Sequence, residues 1–132
     1  MDLAPRAAAR CAAAAAATTL AIALAGCGPQ EPTEPAAPYV ADDGSYHVPV
    51  LARDMRFHPA EITVPDGRRL VVELTNVDGM PHDLATATGL QTPLLPRGAS
   101  ASLDVGVVDG TLDAWCAVTG HREAGMVMTM TG

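Results

Sequence analysis

The chain has 132 residues, 48% of them hydrophobic and only 3% aromatic, which allows one small domain with a core of Val, Leu, Ile, Met and Ala. Its formal charge is −7 and it has no Lys, so nothing in it would neutralise a run of phosphates, and nucleic acid is excluded as a partner. The same acidic balance favours partners with a basic docking face.

Residues 1–26 read as a signal peptide and not as fold. Arg6 and Arg10 give a positive start. The apolar run from Ala12 to Ala25 is too short and too Ala-rich for a comfortable membrane span, and it ends in small residues. Leu24-Ala25-Gly26-Cys27 reads as a bacterial lipobox, in which Cys27 is acylated and becomes the mature N-terminus. A plain secretory signal and a retained helical anchor are the competing readings. Acyl chains hold a protein on a membrane surface while its domain stays soluble. The expected location is the cell envelope, on the outer face of the cytoplasmic membrane or in the periplasm or outer membrane. Residues 27–43 make a lipidated, Pro-rich tether. Pro29, Pro32, Pro35 and Pro38, interleaved with Gln30, Glu31 and Glu34, cannot bury a face or donate regular hydrogen bonds. Such a segment is extended, at roughly 3 Å per residue.

Residues 44–132 carry short strands and turns. Tyr46 to Leu51 alternates weakly, and Pro49 marks it as an edge strand. Ile62 and Val64 point inward before a Pro65-Asp66-Gly67 turn. Leu70, Val72 and Leu74 share one face of the next strand, the period of a half-buried sheet. Arg97-Gly98 turns the chain into Ala99 to Val105, where Ala101, Leu103 and Val105 alternate with Ser100, Ser102 and Asp104. The stretches 110–116 and 126–131 supply the last two strands. No segment after residue 44 keeps a helical period, so the expected fold is an all-β sandwich.

The chemistry concentrates between Trp115 and Met126. Cys116, His121 and Met126 lie on one short stretch with four residues between successive members, and Pro81-His82 lies upstream. Two His and one Cys with a weak axial Met are the ligands of a mononuclear copper site. Soft sulfur favours the cuprous ion and imidazole accepts the cupric ion. Cys116 is the only thiol left once Cys11 is cleaved off and Cys27 is lipidated, and a lone free thiol in an exported protein is unusual. A single Cys excludes a binuclear copper centre, and Cys with two His and a thioether is a poor zinc set. Catalysis by Cys and His would need further polar partners that the stretch lacks, so no enzyme is expected. His47 and His58 are read as non-ligands, and Met55, Met80, Met128 and Met130 as packing.

With these residues the chain resembles the cupredoxin, or blue copper, family, and is similar in kind to plastocyanin, azurin and sulfocyanin. The resemblance covers about residues 45–132 and rests on Cys116-x4-His121-x4-Met126 after Gly110 to Trp115, with Pro81-His82 before it. The Cys-to-His gap is longer than in plastocyanins and the His-to-Met gap longer than in azurins. The Gly120-His121-x-x-Ala124-Gly125-Met126 wording is closest to sulfocyanin. The resemblance implies a Greek-key sandwich holding one type 1 copper ion on His82, Cys116, His121 and Met126. It implies His82 as the more buried imidazole and the edge of His121 as the place where electrons enter and leave. An Asn follows the first His in many relatives and ties the ligand loops together; here that position is Asp83. The expected function is a membrane-tethered, monomeric carrier of single electrons between a donor and an acceptor redox protein, membrane complexes among them. The alternative is copper storage or delivery to a cuproenzyme, motivated by the same soft ligands with Met80, Met128 and Met130.

Overall fold

A computed structural model of the chain describes Gly28 and residues 30–132; Cys27, the expected site of lipidation, and the expected signal peptide lie outside the described residues. Among the described residues, nine strands follow in order: β1 Tyr39–Val40, β2 Tyr46–Arg53, β3 Arg56–His58, β4 Glu61–Thr63, β5 Arg69–Asn76, β6 Ala85–Thr86, β7 Ser100–Val107, β8 Thr111–Trp115 and β9 Val127–Thr131. One sheet runs β1-β2-β5-β7, with β3 also paired to β2, and the other runs β4-β9-β8-β6. The β2–β5 and β4–β9 pairs are parallel and the rest antiparallel. This is an all-β Greek-key sandwich: the strand spacing implied the sandwich, and the family resemblance implied the Greek key.

Alternation decides which residues meet between the sheets. Leu70, Val72 and Leu74 of β5 are fully buried beside Val48 and Val50 of β2. Facing them are Ile62, Ala114, Met128 and Met130 of the second sheet. Phe57 is the one aromatic among the fully buried side chains, and the flexible thioethers of Met128 and Met130 fill the volume that other aromatics would take. Each such side chain contributes about 1.5–3 kcal/mol by leaving water.

Three expectations shift. Pro49 does not lie on a bare edge strand, because β2 has β5 on one side and β1 and β3 on the other. The outer pairing of β1 ends at His47 and that of β3 begins at Leu51, so Pro49, which has no N–H to offer, sits in the gap between them. The sheet also begins at Tyr39, inside the stretch read as tether. Just before it, Glu31 pairs with Arg97 and Glu34 lies 4.0 Å from Arg53, so this segment rests against the domain. Third, Met80 is not packed but 47% exposed.

Candidate metal centre

The loops at one end of the sandwich bring three donors together. His82 follows β5, on a loop whose course is set by Asn76. The Asn76 side chain is buried, donates to the carbonyls of Met80 and Leu95 (both 2.8 Å) and accepts from the N–H of Asp78 (2.9 Å). His82 itself makes a two-way bridge with Leu95, N–H to carbonyl at 3.1 and 2.8 Å. Cys116 follows directly on β8. Its N–H bonds to the carbonyl of Met126, and the N–H of Met126 bonds to the carbonyl of His121, each at 3.0 Å. Those two bonds close the Cys116–Met126 loop, so residues ten apart in sequence become neighbours. Gly125 makes the last bend at φ +97°, a conformation that side chains disfavour.

The three donors converge. Cys116 Sγ lies 3.5 Å from His121 Nδ1 and 3.9 Å from His82 Nδ1, and the two Nδ1 atoms are 3.2 Å apart. His82 and Cys116 are fully buried and His121 is 7% exposed. Among the described residues, these three form the one cluster of His, Cys and acidic side chains able to hold a metal ion. Met126 is also fully buried, and its main chain touches both Cys116 and His121. The donor set fits copper: one sulfur and two imidazole nitrogens, with no carboxylate among them, all on buried side chains. Burial is the main cause that holds the Cys116 thiol above its ordinary pKa, and the charge of Asp83 adds to it, against the pull of the Asp83 and Val118 N–H groups. A cation at the three donors would reverse that bias, because a coordinating thiol is deprotonated.

Of the residues around the ligands, the sequence pointed only to Asp83. Asp83 keeps the tie between the ligand loops although it is not Asn: its Oδ1 accepts from the N–H of Ala117 (2.6 Å), the residue after Cys116. Its second oxygen accepts from Gln91 Nε2 (2.8 Å), which supplies the donor that a carboxylate needs there. Asp78 Oδ2 lies 2.8 Å from His82 Nε2, the ring nitrogen turned away from the other donors. Burial raises the pKa of Asp78, but hydrogen bonds from Met55, Asp54 and His82 outweigh it and hold the carboxylate below its ordinary value. Arg56 reaches from β3 to the carbonyl of Ala124 (2.8 Å) and so touches the second ligand loop. Arg122, next to His121, lays its guanidinium 3.9 Å from the Trp115 ring centre, a cation–π contact on the outer side of the loop. A carboxylate four residues before a ligand His was a legible signal for Asp78; nothing local pointed to Arg56 or Gln91. Of the other histidines, His47 joins Ser45 and Glu73, and His58 lies against the carbonyl of Arg53.

No family model and no curated protein matches the chain by sequence. Solved structures match it by fold. Auracyanin B aligns with a TM-score of 0.58 and 20% identity over 64% of this chain and 86% of its own. The dithionite-reduced auracyanin of the photosynthetic bacterium Roseiflexus castenholzii aligns at 0.57 and 18%, over 64% and 94%. A reduced single-site variant of amicyanin aligns at 0.51 and 25%, over 72% and 90%. Fold and site together define the class: a cupredoxin-fold protein with a mononuclear His–Cys–His metal-binding triad suited to electron transfer.

Proposed function

We propose that this protein is a type 1 copper protein that carries single electrons between redox partners, and that His82, Cys116, His121 and Met126 would hold the copper. The convergence of three buried donors within 4.8 Å of one another carries the reading. Copper bound there supplies one-electron chemistry, cycling between the cuprous and cupric states. The chain's own part is to keep the donors still. Cys116 and His121 sit on a loop closed by hydrogen bonds to Met126, and His82 is fixed by its bridge to Leu95. Ligands that cannot move far suit both oxidation states in nearly one geometry, so little reorganisation opposes transfer. Burial excludes water from the ligands, and the slight exposure of His121 leaves one imidazole as the contact with a partner.

Cys27 would carry the lipid and the Pro-rich segment would keep the monomeric domain near membrane-bound donors and acceptors, raising their effective concentration. Copper storage or delivery loses part of its motive, because Met128 and Met130 are core residues and only Met80 is exposed.

The test is visible absorption of the full-length protein loaded with one equivalent of cupric ion and titrated with ascorbate. An intense thiolate-to-copper band that bleaches and returns, and that Cys116→Ser abolishes, is the expected result. A band that survives Cys116→Ser refutes the ligand assignment. Colourless binding of cuprous ion, surrendered readily to a copper-free acceptor, favours delivery.

A further inference from the structure

We propose that Asp78 is a positioning residue for the metal, fixing the tautomer and orientation of His82, and that the tip of the β2–β3 hairpin holds it in place. The metal-tuning half of this proposal rests on the copper reading above; the tautomer half does not.

An ionised carboxylate can only accept, so the 2.8 Å contact between Asp78 Oδ2 and His82 Nε2 requires the proton to sit on Nε2. The neutral ring then has its lone pair on Nδ1, which is the atom facing Cys116 Sγ and His121 Nδ1. His82 is thus set to donate to a metal before any metal arrives. Asp78 is itself clamped. Its Oδ1 accepts from the N–H of Asp54 (2.8 Å) and its Oδ2 from that of Met55 (3.1 Å). Those two residues turn the hairpin with positive φ, 54° and 57°, which aims both N–H groups at one carboxylate. The next residue, Arg56, donates to the carbonyls of Met55 (2.7 Å) and Ala124 (2.8 Å). One three-residue tip therefore braces both ligand loops, the His82 loop through Asp78 and the His121 loop through Arg56. A carboxylate behind an imidazole also makes it a stronger donor, which favours the cupric ion.

Two measurements test this. Nitrogen-15 NMR of the metal-free protein should show His82 protonated at Nε2, with that proton protected from exchange. Protonation at Nδ1 instead overturns the proposal, whatever the protein's affinity for copper. In the copper-loaded full chain, Asp78→Ala should keep the visible band but favour the cuprous state about tenfold more, a rise in midpoint potential of about 59 mV. An unchanged or lower potential overturns the tuning role. Asp78→Asn, which can still accept from Nε2 but carries no charge, should rise less than Asp78→Ala, and it serves as the test if the alanine variant does not fold. If the wild type gives no coloured copper site, the copper reading fails, and the tautomer alone decides the role of Asp78.

Discussion

Asp83→Asn isolates the charge beside the thiolate from the hydrogen bond that ties the loops. The carboxylate is 5% exposed and accepts at both oxygens, from the N–H of Ala117 and from Gln91 Nε2. Asn keeps a carbonyl for Ala117, and the exposed side chain of Gln91 can turn its own carbonyl toward the new amide. The tie should survive, with a stability change within about 1 kcal/mol, the worth of one neutral hydrogen bond. What disappears is one negative charge. Ala117 is bonded to Cys116, so that charge lies close to the site; at an effective dielectric of about 20, a charge this near interacts with one unit of charge by at least about 2 kcal/mol. For a one-electron couple, where a tenfold change is 59 mV, that corresponds to a rise of roughly 90 mV. The assay is the midpoint potential of the copper-loaded variant by spectroelectrochemistry, with thermal unfolding alongside. A potential unchanged or lowered, in a protein that keeps its visible band and its stability, would refute the electrostatic reasoning. A large loss of stability would show that Gln91 does not turn.

Other outcomes follow from the same geometry. Copper uptake must release the Cys116 proton, so cupric affinity should rise by about tenfold per pH unit below the thiol pKa, measured by competition with a chelator of known proton dependence. In the metal-free protein, that raised thiol pKa stabilises the fold fully below the ordinary value of 9.0 and ceases to as pH climbs through the folded value, so stability should decline above pH 9.0. At the acid end the sign reverses. The hydrogen bonds of Ser45 lower Asp43; Glu73, raised by burial, is lowered on balance by His47 and Tyr39, so stability present above their ordinary values of 3.8 and 4.5 should fall as these carboxylates protonate. Urea midpoints against pH will show whether it does. Gly125→Ala would put a Cβ at positive φ and 3.2 Å from the Arg56 guanidinium, so it should cost about 1–2 kcal/mol and broaden the visible band. A neutral effect on both would mean the loop is slack.

Much of the fold was legible because alternation is local. Leu70, Val72 and Leu74 announce an inward face before any partner strand is known, and Met128 and Met130 do the same for β9. Two of the three converging donors were equally plain, since Cys116 and His121 lie within a single loop and their types state their chemistry. Pro49 was legible only halfway: the missing N–H forbids a continuous outer partner, but two short strands leaving a gap satisfy it as well as a bare edge does. Met80 was misread because a thioether in a loop carries no periodicity to say which way it faces.

The sequence by itself determined the strand periodicity and the donor types, because both reside in residues near one another along the chain. Tertiary structure decided the rest. The parallel pairing of β2 with β5 and the antiparallel pairing of β2 with β3 bring the Asp54–Arg56 tip to the Asp78 loop, and the packing of one sheet on the other brings Arg56 to the Ala124 carbonyl. Only the meeting of the two ligand loops gives Asp83 an amide to accept from and a Gln91 to satisfy its second oxygen. A hydrogen bond depends on distance in space, and residues separated by 23, 34 or 68 positions have no local pattern that records it.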